Sequence, residues 1–82
     1  MNKSTFDNAP LKEKVYQVLE RGKPITNRQF LHFNIRLYGL DDFFAEIWYI
    51  PAANKIDRVE TLTTDEVLHM YKGFFDISGL LK

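Results

Sequence analysis

Leu31, Phe33, Ile35 and Leu37 alternate with His32, Asn34, Arg36 and Tyr38, the period-two pattern of a strand with one buried face. The segment from Phe43 to Ile50 is different: it is aromatic and apolar at both parities, so both of its faces demand cover. Leu40, Asp41 and Asp42 separate the two segments and predict a hairpin turn, where aspartate is favoured because its side chain bonds nearby backbone. A three-residue loop predicts Arg36 opposite Glu46, Ile35 opposite Ile47 and Leu37 opposite Ala45. A cross-strand ion pair contributes about 0.2 to 1 kcal/mol, and a slip by one residue would set Leu37 against Glu46 in the core. The expected core face is therefore Leu31, Phe33, Ile35, Leu37, Phe43, Ala45, Ile47 and Tyr49. Phe44, Glu46, Trp48 and Ile50 then lie on the other face with His32, Asn34, Arg36 and Tyr38.

Upstream, Leu11, Val15, Val18 and Leu19 fall at helical spacing and predict a helix from Pro10 to Arg21. Asp7 or Asn8 is the expected cap, and Gly22 followed by Lys23-Pro24 the stop. Lys23 to Arg28 reads as a connector, and residues 1–8 as a fraying tail with Phe6 as its apolar anchor. Pro51 to Asn54 is a turn. Lys55 to Leu62 is a polar third strand whose apolar residues Ile56, Val59 and Leu62 require a bulge. Thr63-Thr64-Asp65-Glu66 is a capping box that opens a second helix, with Leu62 and Val67 placed as a hydrophobic staple. The helix is expected to end at Gly73. After it, Phe74, Phe75, Ile77, Leu80 and Leu81 make a strongly apolar tail, expected to dock on the sheet or on a partner. The predicted architecture is one α+β domain over 1–82: helix, three-stranded antiparallel meander, helix.

The order helix, three strands, helix resembles the topology of double-stranded RNA-binding domains. That family sets a basic helix start on the RNA phosphates; the corresponding Thr64-Asp65-Glu66 here would repel them, so the likeness stops at element order.

Composition narrows the function classes. The 82 residues include no cysteine, which removes disulfides, thiolate metal sites and cysteine nucleophiles. Eleven basic residues balance eleven acidic ones, so the net positive field that draws proteins to nucleic acid or anionic lipid is missing. Lys3, Lys12, Lys14, Arg21, Lys23 and Arg28 concentrate in the first third, which reads foremost as a solvated face and only secondarily as a weak anion-binding patch. No apolar run approaches the roughly 20 residues that span a bilayer. A cytoplasmic protein without membrane contact is expected, and the acceptor triplet Asn2-Lys3-Ser4 reads as chance.

Catalytic and metal signatures are not found in the chain. His32 and His69 have no ligand at helical spacing, Ser78-Gly79 has no strand-turn-helix elbow around it, and the four glycines are isolated. No cofactor is implied. The outer hairpin face carries the functional expectation: Tyr38, Phe44, Trp48 and Ile50, rimmed by His32, Arg36 and Glu46, have the composition of a partner site. The expected function is a small non-enzymatic protein-interaction or regulatory module, binding another protein or a second copy of itself. Single-stranded nucleic-acid binding on the aromatic face is the alternative, and small-ligand binding or catalysis the remote one. Cover of that face by the second helix or the tail is the competing structural explanation.

Overall fold

The computed structural model describes residues 2–72; the apolar tail from Phe74 to Leu81 lies outside them. The chain forms α1 (Lys3–Asp7), α2 (Leu11–Arg21), β1 (Lys23–Phe30), β2 (Phe33–Gly39), β3 (Phe44–Ile50), β4 (Lys55–Leu62) and α3 (Thr64–Met70), with a 3-10 turn at Pro51–Ala53. The sheet is an antiparallel meander in the order β1-β2-β3-β4. The α+β class and the antiparallel meander agree with the sequence pattern, but the described residues form four strands rather than three. Lys23 to Arg28 is not a connector: it belongs to an edge strand whose period is obscured by a bulge between Pro24 and Thr26. None of the β1 residues is fully buried, so half of a hydrophobic alternation is simply missing from it.

The register also differs from expectation, by one residue. Leu37 pairs with Glu46, Ile35 with Trp48 and Arg36 with Ile47. The loop holds four residues, Leu40 to Phe43, closed by the Leu40 N–H donating to the Phe43 carbonyl at 2.9 Å. Tyr38, Ala45 and Ile47 therefore face α2, while Ile35, Leu37, Glu46 and Trp48 share the α3 face. Leu31, expected in the core, sits instead at the β1–β2 tip and is 80% exposed.

Each face has its own core. On one side Phe6, Val18, Tyr38, Phe43, Ala45, Ile47 and Val59 pack together. On the other, Leu37 and Leu62 meet Val67 and Tyr71, with Ile25 and Phe44 against them. Residues 2–8, expected as a tail, carry α1: Asn2 accepts from the Thr5 N–H at 2.8 Å as its cap, and Phe6 is fully buried, 5.3 Å from the Phe43 ring. Asp7 accepts from the Thr61 hydroxyl, which ties α1 to β4. The cap of α2 is Pro10, in extended geometry with no side-chain bond, rather than Asp7 or Asn8. Gly22 ends α2 as expected, and a Cβ there would lie 2.5 Å from the Val18 carbonyl oxygen.

The more local signals hold. The capping box is complete, with the Glu66 N–H donating to Thr63 Oγ1 at 3.2 Å and the Thr63 N–H donating to Glu66 Oε1 at 2.9 Å. Those bonds hold the Glu66 carboxyl below its ordinary range. Leu62 and Val67 pack in one cluster, as a staple requires. β4 carries its bulge at Asp57, between the pairs Trp48–Arg58 and Tyr49–Ile56. The second helix ends at Met70, short of Gly73.

Phe6→Ala removes a fully buried ring from the α2-side core and is expected to destabilise the domain by about 3 kcal/mol in urea unfolding. A loss below about 0.5 kcal/mol, the range of surface substitutions, would mean that α1 does not pack there.

Candidate functional site: the arginine–aromatic face

The α3 face of the sheet is organised around Glu46. Its side chain is buried in the centre of the sheet, where a carboxylate is costly unless its oxygens are bonded. Oε2 accepts from Arg28 Nε at 3.3 Å and Nη2 at 3.1 Å, and from the Tyr71 hydroxyl; Oε1 accepts from Trp48 Nε1 at 3.3 Å. Arg28 Nε also donates to the Tyr71 hydroxyl at 3.0 Å. Among the described residues no buried side-chain nitrogen or oxygen is left without a partner.

The strands explain the convergence. Arg28 on β1 pairs with Ile35 on β2, which pairs with Trp48 on β3, so the three share one face. Glu46 is two residues before Trp48 and points the same way. Tyr71 arrives from the end of α3. Burial and the bond to Glu46 push the Tyr71 hydroxyl up to about 12, against the opposing bond from Arg28. Burial would lower the Arg28 guanidinium, but its bonds to Tyr71 and Glu46 raise it on balance.

Outward from Glu46 the face becomes aromatic. Phe33 meets Trp48 edge-on at 5.0 Å and Phe30 does so at 6.2 Å. Arg58 lies 4.2 Å from the Trp48 centroid and 5.4 Å from that of Phe33, while Arg28 lies 5.7 Å from Trp48. Arg58 is further held by Asp57 at 3.3 Å and Glu60 at 3.5 Å. His32 stacks on Phe33 at 4.3 Å. Beyond them Phe30 is 48% exposed and Leu31 80%. Leu31 has a φ of 55°, at the first position of a two-residue hairpin turn, where a primed turn calls for glycine.

The residues expected to form one patch are distributed over both faces. Trp48 and His32 belong to the cluster just described. Phe44 lies on the same face but under α3, and Ile50 closes β3 opposite Lys55. Tyr38 is buried on the opposite face, and Arg36 stands exposed on that face too. Sequence reading did not assign Arg28, Phe30 or Arg58 to the site. The β-favouring Ile25-Thr26 pair and Phe30, separated from Phe33 by two residues, were the available signals of a strand and tight hairpin.

His69 is exposed on α3, and Asp41 and Asp42 are exposed in the loop. Among the described residues no three histidine, aspartate or glutamate side chains gather as a metal would require, and no helix is long and apolar enough to cross a membrane. Comparison with protein-family models, with curated proteins and with solved structures gives no match.

Arg28→Met strands a buried carboxylate and is expected to destabilise by about 3 kcal/mol, whereas adding Glu46→Met should recover most of that loss. Equal losses in the single and double variants, measured by denaturant unfolding, would contradict the assigned coupling. A second test uses alkaline pH. Since folding raises the Tyr71 pKa from 10.0 to about 12, the protonated hydroxyl stabilises the fold below pH 10.0, and this contribution disappears as pH rises toward 12. Stability should fall across that window more steeply in the native chain than in Tyr71→Phe; parallel profiles would refute the bond.

Proposed function

We propose that this chain is a small non-enzymatic interaction module that associates with a second copy of itself through the Trp48 end of the α3 face. The carrying observation is Leu31, a large apolar side chain that is 80% exposed at a φ of 55°. Left-handed backbone costs a residue with a Cβ about 1 to 2 kcal/mol. Among the described residues nothing packs over leucine there to offset that cost. Burial against a partner would, and the neighbouring Phe30, Phe33 and Trp48 are residue types that anchor interfaces.

A second copy suits this surface by its charges. The formal net charge is zero, so two copies do not repel at long range. Arg58 lies beside Asp57 and Glu60, so a twofold contact can set the arginine of each copy against the acidic pair of the other. A cytoplasmic setting fits the cysteine-free composition. The non-enzymatic reading rests on the sequence, which holds no nucleophile or metal signature.

Single-stranded nucleic acid is the second reading, favoured by the grouping of Phe30, Phe33 and Trp48 with arginines on one sheet face. Arg58 over the indole and two phenyl rings against it oppose that reading, because a base would have to displace them before stacking.

Sedimentation equilibrium tests the proposal. The native chain should dimerise, Phe30→Glu with Leu31→Glu should abolish association, and Leu31→Gly should weaken it while raising monomer stability by about 1 kcal/mol. A chain that stays monomeric up to roughly 1 mM, equivalent to about 4 kcal/mol of association, would overturn self-association. Quenching of Trp48 by short oligonucleotides at low salt, by a monomeric chain, would replace it with the second reading.

A further inference from the structure

We infer that the opposite, α2-side face of the sheet holds a binding site for a small amphiphilic monocarboxylate, with Arg36 as the group that receives the carboxylate. A groove of about 390 Å³ opens beside α2, and its apolar wall is built from Leu19, Ile47, Tyr49 and Ile56. Its other wall is Asn34 and Arg36. The same two side chains also line an adjoining recess of about 140 Å³, together with Asn27 and Gln29 from β1. The register places these groups in sequence across the sheet. Arg36 stands between Asn27 and Ile47, and Asn34 between Gln29 and Tyr49. One side of the combined cavity is therefore amide and guanidinium, and the other, which also takes in the Tyr38 and Tyr49 rings, is mainly apolar.

Arg36 has no ion-pair partner among the described residues, unlike Arg28 and Arg58. Arg28 also borders the recess, but its charge is engaged by Glu46. The recess thus presents one uncommitted cation flanked by three neutral amides. That matches a monoanion better than a doubly charged phosphate, and the planar fork of a guanidinium pairs with the two oxygens of a carboxylate. Leu19 is 61% exposed at the rim of the apolar wall, a position at which an alkyl chain crossing from Arg36 toward Ile56 would cover it. The size and the few convergent polar groups are those of small-molecule pockets. This site shares no residue with the Trp48 patch except at the recess border, and it stands whether or not the chain self-associates.

Backbone amide NMR of the full chain, titrated with decanoate and with decanol below their aggregation limits, tests the inference. Decanoate should bind saturably and shift the signals of Asn34, Arg36, Ile47 and Ile56, and decanol should bind more weakly at the same place. Arg36→Gln, at an exposed position, should lower the decanoate affinity about tenfold and leave that of decanol unchanged, as expected for the loss of one charge-assisted contact. No saturable shifts, equal decanoate affinity in the native chain and Arg36→Gln, or shifts confined to the Trp48 face would each overturn it.

Discussion

One buried carboxylate fixes the geometry of this domain. Glu46 sits where a hydrophobic residue would be expected, and its oxygens are bonded by groups from three separate elements: Arg28 of β1, Trp48 of β3 and Tyr71 at the end of α3. Taking an ion pair out of water is not in itself a strong source of stability, because desolvation offsets most of the attraction. Its effect is on alternatives. Sliding β3 by one residue against β2 would carry Glu46, together with Trp48, to the α2 face, away from Arg28 and Tyr71, and leave those two facing an apolar strand. The register, the docking of the edge strand and the placement of α3 are therefore one decision.

The same dependence explains what the sequence disclosed. Thr63-Thr64-Asp65-Glu66, the staple of Leu62 on Val67 and the bulged β4 were legible because each is specified by residues a few positions apart. The register was not, because two of the three groups that make Glu46 tolerable in the core lie far from it in the chain. Arg28 is 18 residues away and Tyr71 is 25. Judged from β2 and β3 alone, an Arg36–Glu46 pair on the surface was the better arrangement. With β1 unrecognised, there was no donor to reverse that judgement.

The one-residue difference also reassigns the candidate site. At the expected register Tyr38 and Trp48 share a face; at the observed one they are separated by the sheet, and Tyr38 becomes core. The aromatic composition of Phe43 to Ile50 is then largely a consequence of a strand covered on both sides, by α2 on one and α3 on the other. Composition alone overstated the surface. The part left to explain is smaller and lies at one end: Phe30, Leu31 and Phe33 with Trp48 and Arg58.

Trp48 links the two roles of that end. Its indole N–H donates inward to Glu46, and its ring packs against Phe30, Phe33 and Arg58 on the outward side. A tryptophan positioned from within by a partly buried hydrogen bond has fewer rotamers left to lose when something binds over it, and lost side-chain freedom is a principal penalty in association. Arg58 is likewise already held by Asp57 and Glu60. The interaction that fixes the register thus also stiffens the surface beside it. Leu31 is the exception, exposed and in left-handed backbone at the hairpin tip, where its strain adds to the free energy of the lone chain whatever binds it. A rigid indole beside an apolar side chain bare in water is a combination that folding requires only in part: Glu46 accounts for the first, and nothing within the described fold accounts for the second.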